Sequence, residues 1–178
     1  MQLKIYYYGD PVLRRYCQPV AEITDEIRQL VKDMVDTMDN NNGIGLSAPQ
    51  IGKSIRLFVL RDYIEDEHGR LAMAPGYKVF INPKIVSYSD EMVLDVEACI
   101  SLPGLRCPVV RPFKITIEAT DIDGNQFVEE FSGINARVRL HENDHINGVL
   151  YIDRVDPKIR NQVDPLLREM KKKYSSHK

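Results

Sequence analysis

His141-Glu142-Asn143-Asp144-His145 constrains this chain more than any other stretch, because it sets two of only four histidines four residues apart around a glutamate. On an α-helix, positions i and i+4 share a face, so both imidazoles can reach one metal ion while Glu142 projects beside it. A glutamate placed there can take a proton from water. The flanks read as a helix. Ser132 offers an N-cap, Gly148 a stop, and Ile134, Val138, His141 and His145 fall on a single face. That face begins apolar and ends in the two imidazoles, so Ile134 and Val138 read both as core and as the wall of a pocket. Arg137 and Arg139 are assigned to other faces of the helix, solvated or ion-paired.

Two imidazoles are too few for a metal centre, and a third ligand has to come from elsewhere. The chain has three widely spaced cysteines, and its opening Met1–Arg15 shows no apolar run. That combination argues against a disulfide framework and for a reducing cytoplasm. Cys99 is the best-placed ligand. Glu97-Ala98-Cys99-Ile100-Ser101-Leu102-Pro103-Gly104 reads as a short apolar strand ending in a Pro-Gly turn, which would hold the thiol on regular backbone. Cys17 and Cys107 read as packing.

Further upstream, Ile27, Leu30, Val31, Met34, Val35 and Met38 mark an amphipathic helix closed by Asn40-Asn41-Asn42-Gly43. Gly43-Ile44-Gly45-Leu46-Ser47-Ala48-Pro49-Gln50 follows. Its two glycines would let a substrate backbone come close, but taken alone the segment is a tight turn. Phosphate binding is a poor fit, since no preceding strand and no following Lys-Ser/Thr are present.

Taken together, GIGLSAPQ, EACISLPG and HENDH, in that order and spacing, resemble the motifs of the peptide deformylase family. The likeness runs from Gly9-Asp10-Pro11-Val12-Leu13-Arg14 to about Ile152. It implies one divalent metal ion, Fe2+ with Zn2+, Ni2+ or Co2+ as substitutes, held by Cys99, His141 and His145. It implies Glu142 as acid and base, and Gln50 with the backbone N–H of Ile100 as oxyanion donors. Gly45 matches a residue that contacts substrate, and Arg106 and Arg111, with Glu97 and Asp144, match charged positions that brace the site or meet the peptide. The implied substrate is an N-formyl-methionyl nascent peptide. Ile44, Ile134 and Val138 are then expected to line the slot for its first side chain. Ala98, Ile100 and Ser47 stand where the family has glycine, leucine and alanine, and Asn143 is unusually polar; these changes bear on rate and substrate range.

Two other functions compete. A metallopeptidase with the same helix motif would take a downstream ligand, and here only Glu169 and His177 follow. A non-catalytic metal-binding protein would have no need of Glu142 and Gln50.

The remaining sequence predicts an α+β fold, with antiparallel sheets packed around the HENDH helix in a single domain over residues 1–178. A helix is expected near 25–40, strands near 55–61, 78–82 and 92–100, and a polar loop over 62–76. A hairpin about Asp123-Gly124 should join 114–120 to 126–131. A last helix is expected over about 157–178. Its end gathers Arg168, Lys171, Lys172, Lys173 and Lys178 against Glu169 alone. This is first a complement to the helix dipole, and, by the family resemblance, a possible contact with the ribosome. A net charge of −2 gives no reason to expect a direct nucleic-acid site, and no segment reaches membrane-spanning length.

Overall fold

Leu57-Phe58-Val59-Leu60 contains no polar residue, and all four side chains are buried. Strand side chains alternate between two faces, so such a run needs cover on both sides. In the computed structural model, which describes residues 1–175, two helices supply it. The chain runs through α1 (Asp25–Asn40), β1 (Gly45–Ser47), β2 (Leu57–Leu60), β3 (Tyr63–Glu65), β4 (Leu71–Met73), β5 (Lys78–Tyr88) and β6 (Met92–Cys99). It continues through β7 (Leu102–Pro112), β8 (Lys114–Thr120), β9 (Gln126–Ser132), α2 (Gly133–Ile146) and α3 (Pro157–Ser175).

Five strands form one antiparallel sheet in the order β1-β2-β5-β8-β9. Leu57, Val59, Val79 and Ile81 turn to Val31, Met34 and Met38 of α1. Phe58, Leu60, Phe80 and Ile117 turn to Ala136, Val138 and Leu140 of α2. Beyond α2 lies a separate two-stranded ribbon, β6–β7, whose Leu102, Leu105, Cys107 and Val109 pack with Leu150, Tyr151 and Leu167. The motif helix therefore sits between sheet and ribbon, as the expected α+β architecture requires. Cys17 and Cys107 are buried packing groups, and burial pushes the Cys17 thiol up to about 11.

Local chemistry explains the helix ends. Thr24 caps α1 by accepting from the Ile27 N–H, and Asp25 and Glu26 complement its dipole. Ser132 occupies the N-cap position of α2 without a side-chain bond. After Asn147 the chain turns at Gly148, with φ +73 and a Cβ that would come within 2.7 Å of the Arg14 carbonyl. The β8–β9 hairpin turns at Asp121–Asn125, where the Asp121 carboxylate accepts from the N–H groups of Asp123 and Asn125.

Three expectations need correction. The stretch expected as a loop over 62–76 holds the β3–β4 hairpin, tied by the Asp66 carboxylate to the N–H groups of His68 and Arg70. β5 continues past Asn82 to Tyr88, with register shifts against β8. The strand carrying Cys99 turns at Ile100-Ser101, not at Pro103-Gly104, which lie inside β7. Among the described residues β7 pairs only with β6, and an edge strand tolerates the missing proline N–H. The last helix is found as α3, while residues 176–178, including His177 and Lys178, lie outside the described residues.

Phe80 stacks on Phe58 with centroids 4.9 Å apart and meets the Arg139 guanidinium. Phe80→Ala should cost about 3–5 kcal/mol of stability, because the cavity opens between sheet and α2. Chemical denaturation checks this, and a loss under ~1 kcal/mol would mean that the sheet closes over the gap.

Candidate metal centre

Ten of the fourteen residues of α2 are buried, and six of those ten are polar or charged. Buried charges need partners, so this helix is organised by what its side chains meet. Of the two readings of Arg137 and Arg139, solvated or ion-paired, the structure keeps the second: both are buried and ion-paired, to Glu97 and Asp62. Arg139 also lies 3.4 Å over the Phe131 ring, so aromatic faces take the place of water around it.

Cys99, at the end of β6, approaches α2 so that its sulfur lies 3.3 Å from Nε2 of His145. The ligand atoms of Cys99, His141 and His145 all lie within 4.8 Å of one another, the one such group among the described residues. Nδ1 of His141 donates to Glu97 at 2.9 Å, which fixes the ring and leaves Nε2 for an ion. Burial opposes charge on His141, but Cys99 and Glu97 outweigh it and raise its pKa well above the ordinary value. The same negative field attracts a cation. Burial and the neighbouring His141 push His145 far down, which keeps its ring neutral as a ligand must be.

Glu97 is the hub behind the ligands. It accepts from Arg111 Nε at 2.8 Å and Nη2 at 2.9 Å, from Arg137 Nη1 at 2.9 Å and from His141. Burial would raise its pKa, yet Arg111 and His141 hold it well below the usual carboxylate range. Arg111 also donates to Asp144 at 2.6 Å, and Asp144 accepts from Arg154 twice at 2.6 Å.

Glu142 lies on the cavity side. Burial pushes its carboxyl up to about 7, with His141 and Ser47 opposing and Glu97 and Asp144 adding to the rise. Its Oε2 is buried without a hydrogen-bond partner among the described residues. A Cβ at position 45 would overlap the Glu142 carboxylate, which is why glycine stands there. Gln50 is held in one sense, because its carbonyl accepts from the Ser47 N–H at 2.9 Å and hydroxyl at 3.0 Å. Its amide therefore points at Cys99 Sγ, 3.4 Å away, and Ser101 Oγ, 3.2 Å away. Ile100 stands in the turn after Cys99, and its side chain closes on Gly43.

These groups surround a cavity of about 340 Å³. Ile44, Ile134 and Val138 form apolar walls, His141, Glu142, Cys99, Gly45 and Gln50 line it with chemistry, and Val96, Ala98 and Arg106 stand at its exposed edge. The sequence reading missed Arg137, which also lines the cavity; it precedes His141 by one helical turn, a spacing that points it to the same side. It missed Ser101, and Tyr151, whose ring stacks on His141 at 5.8 Å, and nothing in their local sequence marks them. Glu169, the alternative ligand, is exposed on α3 and outside the cluster. A thiolate and two imidazoles suit a divalent transition ion, and the Glu142 oxygen, buried without a partner among the described residues, leaves an acceptor beside them. The residues fit a metal.

Removing Arg111 would strand two buried carboxylates. Arg111→Met should cost about 3–5 kcal/mol, measured by denaturant unfolding. A cost below ~1 kcal/mol would show that Arg137 and Arg154 neutralise Glu97 and Asp144 without it.

Comparison with known proteins bears on the same residues. The family model for polypeptide deformylase matches residues 2–161. Peptide deformylase 1 of Clostridium perfringens is 46% identical over 147 residues, covering 83% of this chain and 93% of that protein. Peptide deformylase 1B of Arabidopsis thaliana, chloroplastic/mitochondrial, is 38% identical over 172 residues, covering 97% of this chain and 61% of that protein. A peptide deformylase crystal structure from Plasmodium falciparum matches with a TM-score of 0.87 at 35% identity over 98% of each chain. Sequence, fold and buried ligand cluster agree, and the chain belongs to the polypeptide deformylase family.

Proposed function

We propose how this site carries out the reaction of its family, hydrolysis of the N-formyl group from the N-terminal methionine of newly made proteins, with release of formate. The observation that carries the assignment is the convergence of Cys99, His141 and His145 beside a Glu142 oxygen that has no partner among the described residues. A divalent ion held by those three residues would supply a Lewis acid that polarises a carbonyl and lowers the pKa of water toward ~7. The chain's own groups do the rest. Glu142 takes a proton from the attacking water, whose oxygen adds to the formyl carbon. It returns that proton to the peptide nitrogen as the C–N bond breaks, leaving formate and a free amine. Burial raises the Glu142 carboxyl above the ordinary carboxylate range, which favours return of the proton as well as its capture. The Gln50 amide and the backbone N–H of Ile100 are the donors for the formyl oxygen as negative charge develops on it.

Ile44, Ile134 and Val138 make the slot for the first side chain, and an unbranched thioether fills such a slot without strain. Crowding around Gly45 and Cys99 selects formyl against the larger acetyl. Arg106, at the edge, meets the peptide beyond the first residue. The ion is read as Fe2+, with Zn2+, Ni2+ or Co2+ as substitutes, and metal analysis of protein purified without oxygen identifies it. We place the enzyme in the cytoplasm; no helix of the described residues is long and apolar enough to cross a membrane. The basic end of α3 is first a dipole complement, docked through Tyr174 on Tyr7, and ribosome co-sedimentation tests it as a contact.

Cys99→Ala, His141→Ala and His145→Ala should each lose the ion. Glu142→Ala should keep it and lose about 10²–10⁴ in turnover, because only the proton carrier is gone. Elemental analysis with rates on a formyl-Met peptide checks both, and full metal content in Cys99→Ala would remove Cys99 from the ligand set.

Wild-type enzyme should prefer formyl-Met to formyl-Val and leave the acetyl-Met twin nearly untouched. Gln50→Ala should lower kcat by about 10²–10³ and change KM little, since its amide acts on the transition state. Equal rates on formyl-Val and formyl-Met would mean that the slot does not read the side chain.

A further inference from the structure

The ribbon β6–β7 has one face that the site does not use. Cross-strand pairs put Met92 with Pro112, Leu94 with Val110 and Val96 with Pro108 on the same side. Met92 is 53% exposed, Leu94 65%, Val96 55% and Val110 48%, whereas Cys107, Val109 and Arg111 on the opposite side of β7 are buried. An apolar strip of this kind on a solvent face marks a contact surface. The next pair along the strip is Ala98 with Arg106, and Val96, Ala98 and Arg106 all border the catalytic cavity. Strip and cavity are continuous.

Whatever enters the cavity by its first residue has to leave it with the rest of its chain, and this edge is one way out. Ala98 lies six positions along from Met92, a run of about 20 Å at ~3.3 Å per residue, so an extended peptide would cover it with roughly residues three to eight. A strand lays alternate side chains on one face. We propose that the outer face of β6–β7 is an exosite for the downstream part of the substrate, taking an extended segment with apolar side chains at alternate positions. The inference rests on the deformylase reading of the cavity and adds a preference that the cavity cannot express, because Leu94, Val110 and Met92 lie outside it.

The test compares a formyl-Met tripeptide with two formyl-Met nonapeptides, one with Leu or Val at alternate positions from residue four, the other with Ser and Gln there. The metal-loaded enzyme should show about tenfold higher kcat/KM for the apolar tail, carried by KM, as expected for burial of a few partly exposed side chains. Leu94→Ser combined with Val110→Ser should remove that difference and keep the tripeptide rate within about twofold, which also shows that the variant is folded. Tripeptide turnover with no tail preference in wild type overturns the exosite alone, as does a preference that survives in the double variant. A mass that rises with concentration in sedimentation and falls to the monomer in the double variant, without a tail effect, assigns the strip to a second copy and overturns the proposal. Absence of turnover on every peptide overturns the cavity reading, and the exosite with it.

Discussion

The carboxylate of Glu97 joins the parts of this protein that have to be held together. It lies on β6, two residues before Cys99, and accepts from one arginine of the ribbon, one arginine of α2 and one histidine of α2. Ribbon and motif helix meet at this group and at the Arg111–Asp144 pair beside it. A buried ion pair returns little net stability, since desolvation offsets attraction, but removal of one partner is expensive. Such an arrangement contributes geometry more than strength. It orients the His141 ring, anchors Arg111 for Asp144, and through Asp144 reaches Arg154 beyond the end of the helix.

Glycine 45 sets the opposite constraint, one of space. β1 lies so close to α2 that only a residue without Cβ leaves room for the Glu142 carboxylate. Ser47, two residues on, orients Gln50 through both its N–H and its hydroxyl. A three-residue strand therefore controls two side chains of different chemistry, and it does so with backbone that is pinned by β2 on its other flank. Alanine at 47 would retain the N–H bond and lose the hydroxyl bond, so serine here adds rigidity to the amide without altering its direction.

Much of this was legible in the sequence because the signals were periodic. The i, i+4 histidines, the α1 stripe and the β8–β9 hairpin each carried a pattern that local geometry enforces, and the structure keeps them. β7 was hidden by Pro103-Gly104, which read as a turn; an edge position in a two-stranded ribbon removes the objection. β3 and β4 were hidden by their three-residue length and by the polar turn between them, whose Asp66 carboxylate ties the hairpin. Arg137 and Arg139 read as solvated or ion-paired on other faces of the helix, and burial was the part not expected, because arginine is usually exposed. Their burial follows from tertiary partners that no local window contains: a carboxylate on β6 for one, Asp62 and two phenylalanines for the other.

The proposed ligand set would be divided between layers, with Cys99 on the ribbon and His141 and His145 on the helix. An ion bound by both layers is also a cross-link, and its binding free energy counts toward keeping them apposed. Ligation by the native state alone adds RT ln(1 + [M]/Kd) to stability, about 2.7 kcal/mol when free ion stands at one hundred times Kd. With the ion held in this way, catalytic competence and resistance to unfolding would be set by a single occupancy. In a cell where metal runs short, the first molecules to fail chemically are also the first to open to proteolysis, so the pool of this protein would track the supply of its ion.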